Sequence, residues 1–252
     1  MIIFKILVGL VLSVYLLGAL ILFIFQRSFL YFPTPKIEHV LNVETFSNDA
    51  ERVDVVVLNE KKDNAILYFG GNGESVIHSS LSFAKALPDH TLYLVNYRGY
   101  GGSSGRPSEK AFYSDAQVIY DVVAKRHASV SVIGRSLGSG VATFLASTRE
   151  FDKLVLVTPY DSIESVAQDR YPLYPIFLLL KDKYDSFARI KHVKNTTLVI
   201  LAENDDAIPF KNSKRLIEAF PEHQITVKTI LDRGHNNLSD GDEYFSLIRN
   251  FM

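Results

Sequence analysis

From residue 52 onward, short apolar runs rich in β-branched residues alternate with longer stretches of helical period, and this alternation constrains the fold more than any other feature of the chain. The apolar runs lie at residues 53–58, 65–69, 92–97, 130–133, 154–157, 197–201 and 225–230; the helical periods lie at 76–87, 109–126, 137–148, 211–220 and 240–251. Strands separated by a helix return in the same direction, because a parallel pair needs a crossover, so the expectation is an α/β protein with a mostly parallel, twisted sheet flanked by helices. At 252 residues the chain accommodates one such domain and an appendage. Residues 160–193 break the alternation: the stretch is aromatic, carries Pro172 and Pro175, and is longer than a crossover requires. It reads as a short cap over the carboxyl edge of the sheet. Its Tyr160, Tyr171, Tyr174, Phe177 and the leucines at 178–180 are candidates either to line an apolar substrate groove or to form the cap's own core.

The N-terminus differs in kind. Residues 6–25 are uncharged and dominated by Leu, Val, Ile and Phe, and about twenty such residues span a hydrocarbon core. The expectation is a single-pass transmembrane anchor over residues 1–26, a juxtamembrane linker over 27–50 with Phe29, Tyr31 and Phe32 suited to the interface, and a folded domain over 51–252. A cleavable signal peptide is the competing reading, although Ile24-Phe25-Gln26-Arg27 offers no small-x-small cleavage site. A core helix would show a polar face, which this run lacks. Lys5 and the amino terminus nearly balance Arg27 and Lys36 under the positive-inside rule, with a lean towards a folded domain outside the cytoplasm. The formal net charge of -1 gives no basic face for nucleic acid, which is discounted as a partner. Cysteine is absent, which excludes disulfides, thiolate metal sites and cysteine nucleophiles, and leaves chemistry to Ser, His and carboxylates. No metal or cofactor is expected.

The residues at 134–138, Gly134-Arg135-Ser136-Leu137-Gly138, form a G-x-S-x-G pentapeptide directly after a strand pattern and directly before a helix. This is the context in which a sharp strand-to-helix turn lifts a serine hydroxyl above a sheet, and the free N–H groups of the following helix favour a developing oxyanion. Serine is a poor nucleophile without a base, and the base needs a carboxylate to hold its tautomer. Downstream, Glu203, Asp205 and Asp206 crowd one strand end, and His235 follows the last strand in a loop, whereas the other six histidines lie before the elbow, in helical patterns or between elements. The order serine, acid, histidine is therefore available. Phe69-Gly70-Gly71-Asn72-Gly73-Glu74 follows an early strand and precedes a helix, so the backbone N–H of Asn72 joins that of Leu137 as a candidate oxyanion hole. A dinucleotide or phosphate loop is a weak rival there, because the third glycine of the fingerprint and a Walker lysine are both missing. Arg98, in Asn96-Tyr97-Arg98-Gly99-Tyr100-Gly101-Gly102-Ser103, reads as structural.

On the elbow, the Asn-Tyr-Arg-Gly-Tyr-Gly-Gly-Ser stretch at 96–103, the acid loop and the Gly234-His235 pair, the chain resembles the α/β-hydrolase superfamily. It is similar to small single-pass members related to the prolyl oligopeptidase branch and to protein-depalmitoylating hydrolases. The resemblance runs from about Gln26 to the C-terminus. It implies the α/β-hydrolase fold and acyl-transfer hydrolysis of a small-molecule, lipid or acylated substrate, with an ester or thioester as the expected bond. A membrane-bound peptidase or amidase, and a non-catalytic binding protein of the same fold, are the alternatives. It also implies Asp205 as the acid, since the family pattern Gly/Ala-x-x-Asp-x-x-Val/Ile-Pro is met by Ala202-Glu203-Asn204-Asp205-Asp206-Ala207-Ile208-Pro209 only in that frame. Two positions depart from the family: Gly70-Gly71 stands where His-Gly is usual, and Asn96 where Asp is usual.

Overall fold

Eight strands, β1 (Asn42–Asn48), β2 (Glu51–Leu58), β3 (Asn64–Phe69), β4 (His90–Val95), β5 (Ser129–Arg135), β6 (Lys153–Val157), β7 (Thr196–Asn204) and β8 (Ile225–Gly234), form one sheet in a computed structural model that describes residues 1–252. Their order across the sheet is β1-β2-β4-β3-β5-β6-β7-β8. The strands from β4 to β8 run parallel, while β2 is antiparallel to β4 and β1 to β2. Residues alternate between the two faces with the strand period. Leu67, Val132, Leu156 and Val199 point to a core roofed by α3 (Glu109–Val123), α4 (Leu137–Thr148) and α7 (Phe210–Ile217). Tyr68, Ile133, Val155 and Ile200 point to a second core under α2 (Val76–Ala86) and α8 (Asp242–Phe251). Both faces of the sheet are covered, which is why its central strands read as unbroken apolar runs.

The strand order sets the place of the site. Successive connections carry the chain from β3 outward to β4 on one side and then to β5 on the other. The loops leaving β3 and β5 therefore diverge at adjacent strand ends and open a crevice, the position where parallel α/β sheets bind ligands. The Gly70 to Glu74 loop and Ser136 are the residues at these two ends.

One sequence expectation changes. The linker predicted over 27–50 is partly regular: α1 (Ile2–Leu30) continues four residues past position 26, and residues 42–48 are strand β1. On β1 only Phe46 and Asn48 are buried, so an edge strand with one apolar anchor left too little alternation to register. The cap contains α5 (Ile163–Arg170), capped by the Ser162 hydroxyl accepting from Ser165 N at 3.0 Å, and the single turn α6 (Ile176–Leu179).

α1 is the one helix long and apolar enough to cross a membrane. Its only buried residue is Gln26, near its C-terminal end, where the helix meets the cap. Gln26 donates to the Leu179 carbonyl at 3.1 Å and accepts from Lys181 N at 2.7 Å, and Arg27 pairs with Asp182 at 2.8 Å.

Candidate active site

The pentapeptide turns as its composition requires, but the strain sits on the serine. Ser136 has φ 49° and ψ -117°, a conformation sparsely populated for a side-chain-bearing residue, while neither Gly134 nor Gly138 has a positive φ. The glycines serve close approach instead. A Cβ on Gly138 would lie 2.0 Å from the Phe69 carbonyl oxygen, and one on Gly134 would lie 2.4 Å from the Gly138 oxygen. Only bare backbone lets the first turn of α4 press against the ends of β3 and β5. Ser136 N donates to the Val157 carbonyl at 2.8 Å, pinning the turn to the neighbouring strand.

The structure brings Ser136, His235 and Asp205 together. His235 Nε2 lies 2.8 Å from Ser136 Oγ, and His235 Nδ1 lies 2.9 and 3.0 Å from the two oxygens of Asp205. A carboxylate only accepts, so Nδ1 carries the hydrogen and Nε2 is left as an acceptor for the serine hydroxyl. The carboxylate is itself fixed: Asp205 Oδ1 accepts from the backbone N–H of Ala207 at 3.0 Å and of Ile208 at 2.8 Å. Asp206 is exposed and makes no hydrogen bond, and Glu203 turns to the Asp232 N–H at 2.9 Å. Ser136 remains partly accessible while His235 is buried, so the hydroxyl can be reached and the imidazole is shielded.

Opposite the serine lies the glycine loop. A Cβ on Gly71 would be 3.6 Å from Ser136 Cβ, so the loop passes close to the hydroxyl. The Asn72 N–H donates to no acceptor in the chain, and that of Leu137, the first residue of α4, precedes the helix ladder. The Asn72 side chain does something the sequence did not suggest. Its Nδ2 donates to the Leu30 carbonyl at 2.6 Å, and its Oδ1 accepts from Phe32 N at 3.0 Å and Tyr100 Oη at 2.9 Å. The loop beside the serine is thus stitched to the end of α1.

The chain holds its glycine loop with Glu74 and Arg135. Glu74 accepts from Gly71 N at 2.7 Å and Tyr68 Oη at 2.7 Å, and pairs with Arg135 at 3.1 Å. Arg135 reaches on to the His235 carbonyl at 3.1 Å. Burial disfavours the Arg135 cation, but the adjacent Tyr68 and Glu74 outweigh it and keep the guanidinium above its ordinary range. Burial also holds the Tyr68 phenol well above its usual range, so it stays a donor to Glu74. Tyr97 adds a bond from its hydroxyl to the Gly70 carbonyl at 2.8 Å. The sequence signals for this pair were slight: an acid three residues beyond Gly71 and the variable second position of the pentapeptide.

The groove candidates fare less well. Tyr160 is wholly buried; its hydroxyl donates to the Leu137 carbonyl at 3.1 Å and fills the space beside Gly140, so it supports the elbow from beneath instead of lining a groove. Tyr174 stacks on Tyr15 of α1, with ring centroids 5.0 Å apart and planes within 11°, and is a contact between cap and helix. Phe177 is exposed and borders a polar recess with Asp161 and Lys183. Tyr171, Leu179 and Leu180 do line an apolar cavity, on its cap side. Arg98 pairs with buried Asp115 at 2.6 Å, away from the serine.

Residues 64–186 match the α/β-hydrolase fold family. An uncharacterized Mycobacterium tuberculosis protein, Rv2307c, is 35% identical over 197 residues, covering 75% of this chain and 69% of its own length. The human protein ABHD12B is 29% identical over 217 residues, covering 74% of this chain and 60% of its own length. Among solved structures, the esterase Pf2001 of Pyrococcus furiosus superposes with a TM-score of 0.66 at 16% identity, covering 87% of this chain and 98% of its own. The serine hydrolase CCSP0084 of Cycloclasticus zankles does so with a TM-score of 0.67 at 16% identity, covering 84% and 98%. The chain belongs to the α/β-hydrolase fold family, and the two solved structures share its fold.

Proposed function

We propose that this chain is a membrane-anchored serine hydrolase that cleaves carboxylic esters or thioesters through an acyl-enzyme. The carrying observation is the Ser136 Oγ to His235 Nε2 contact of 2.8 Å, with Nδ1 held by Asp205. In this reading the Ser136 hydroxyl attacks the carbonyl carbon as His235 takes its proton, and Asp205 stabilises the imidazolium. The carbonyl oxygen, now negative, accepts from the free N–H groups of Leu137 and Asn72. His235 hands its proton to the leaving oxygen or sulfur as the bond breaks. Water then attacks the acyl-serine by the same route, releasing the acid and restoring Ser136. A fluorophosphonate, which phosphonylates activated serines, labels the wild type and not Ser136→Ala; equal labelling of both removes the assignment.

The anchor belongs to the same proposal. α1 is uncharged and mostly apolar from Ile6 to Phe25 and leaves those residues outside the core. Full-length protein is expected to stay in the membrane pellet through an alkaline wash, and its release would make α1 a peripheral element. The near tie between Lys5 and the Arg27 and Lys36 side favours a catalytic domain outside the cytoplasm only slightly.

A further inference from the structure

The end of α1 and the cap line an open cavity of about 520 Å3, within the size range of small-molecule sites. Eleven of its thirteen lining residues are apolar; Leu22, Phe29 and Phe32 come from the α1 side, and Ala167, Tyr171 and Leu179 from the cap. Gln26, one of the two others, has its amide consumed by the Phe23 and Leu179 carbonyls and by Lys181 N. Exposed Arg170 is the remaining one. The walls therefore offer no convergent set of polar groups, and the space suits a hydrocarbon chain.

Two further observations say which one. At its inner end the cavity abuts the loop beside the serine: Phe32 N donates to Asn72 Oδ1 at 3.0 Å, a Cβ on Gly73 would lie 3.6 Å from Phe32 Cβ, and one on Gly71 would lie 3.6 Å from Ser136 Cβ. At its outer end the cap runs along α1 as far as Tyr15, whose hydroxyl donates to the Leu173 carbonyl at 2.9 Å. Tyr15 lies eleven residues before Gln26 in the helix, a descent of about 16 Å along its axis. The cap's tip there exposes Leu173, Phe177 and Leu178 at 79%, 57% and 68%. A tip this apolar, lying against the middle of a helix of membrane-spanning length, suits contact with lipid.

We propose that this cavity is the acyl-chain site of the enzyme, that α1 forms one of its walls, and that long-chain acyl substrates enter it sideways from the bilayer. This rests on the hydrolase reading above. The anchor is then part of the substrate site as well as a tether, and the bond between Leu30 and Asn72 registers the acyl chain against the serine.

The test uses full-length protein in phosphatidylcholine nanodiscs with 4-nitrophenyl acetate and 4-nitrophenyl dodecanoate. Wild type is expected to favour the dodecanoate in kcat/KM. Leu22→Trp on α1 and Ala167→Phe on the cap, each filling the cavity from one wall, are expected to lower the dodecanoate-to-acetate ratio at least about tenfold, as steric exclusion from apolar pockets does. A wild type indifferent to chain length overturns the proposal, and so does a ratio unmoved by Ala167→Phe. A ratio unmoved by Leu22→Trp alone removes α1 as a wall. If instead wild type turns over neither ester and takes no fluorophosphonate, the hydrolase reading has failed, and binding is read separately. A diazirine-bearing dodecanoic acid should cross-link residues 163–180 in wild type and several-fold less in Ala167→Phe, and equal cross-linking overturns the cavity as an acyl site.

Discussion

The two ends of the crevice are built by opposite means. Around Ser136, backbone meets backbone: Gly134 and Gly138 admit no side chain, Ser136 N is tied to β6, and Tyr160 closes the space beneath with no exposed surface. The backbone there is tightly held, and a strained φ of 49° persists because its surroundings over-determine it. Between α1 and the cap, contact runs through side chains over an open cavity, with Tyr15 stacked on Tyr174 and Lys181 lying 4.5 Å from the ring of Phe23. The first arrangement fixes atoms to fractions of an ångström, as bond-making needs. The second leaves room and apolar wall, as a variable chain needs. Asn72 joins them, following Gly71 in the loop beside the serine while its side chain holds the end of α1.

The largest effect expected from this contrast is at Asp205. Replacing it by Asn keeps the shape but removes the acceptor that sets the His235 tautomer, so ester turnover should fall by roughly four orders of magnitude with the fold retained. Steady-state hydrolysis of a soluble ester, alongside circular dichroism, checks this. Asp206→Asn is the control: exposed and unbonded, it should stay within a few-fold of wild type, and the reverse pattern would move the acid by one residue.

A smaller effect falls on Glu74. Its side chain and that of Arg135 are 11% and 15% exposed, and Glu74→Gln would leave the guanidinium facing a neutral amide. Breaking a buried pair in this way costs about 3 kcal/mol or more, which in a domain of this size lowers the unfolding midpoint by roughly 6–12 °C. Because Gly71 and the His235 carbonyl hang on the same pair, kcat should fall as well. A midpoint within 2 °C of wild type would show that the rigid end does not depend on this pair.

Much of the rigid end was legible in the sequence, because it rests on short-range signals. β-branched runs marked β2 to β8, and a glycine-flanked serine between a strand and a helix marked the turn whose geometry the structure displays. The frame that the family resemblance supplied for the acid loop separated Asp205 from Asp206, and the two differ as a half-buried partner of His235 and an exposed neighbour. The other end was less legible for a physical reason. An aromatic residue reads the same whether it lines a cavity, stacks on a distant helix or fills a core, and Tyr171, Tyr174 and Tyr160 do these three things in turn. Nothing local told that α1 would lend Leu22 and Phe29 to a cavity, since the pairing of residues 15 and 174, or 26 and 179, is set by the fold as a whole. Glu74 escaped notice because a carboxylate in a polar loop is usually solvated, and only the return of β5 brings Arg135 to it.

The smallest effect is expected at the loose end, where Tyr15→Phe removes one hydroxyl and nothing else. That hydroxyl donates to the Leu173 carbonyl at 2.9 Å, while the ring keeps its stack on Tyr174. The bond links two exposed elements, and a hydrogen bond of this kind contributes about 0.5–1.5 kcal/mol net. If the contact lies in lipid, the freed carbonyl has no water to turn to, and the cost moves to the upper end of that range. Acetyl ester hydrolysis should nonetheless stay within about twofold of wild type, because Tyr15 is far along α1 from Asn72 and no bonded chain links its hydroxyl to the serine. Rates measured in nanodiscs at several temperatures check both statements, since a loosened cap would show as an earlier loss of activity on heating. A tenfold loss of acetate turnover at low temperature would mean that motion of the cap reaches the serine through α1, and the division between a rigid end and a loose one would then be wrong.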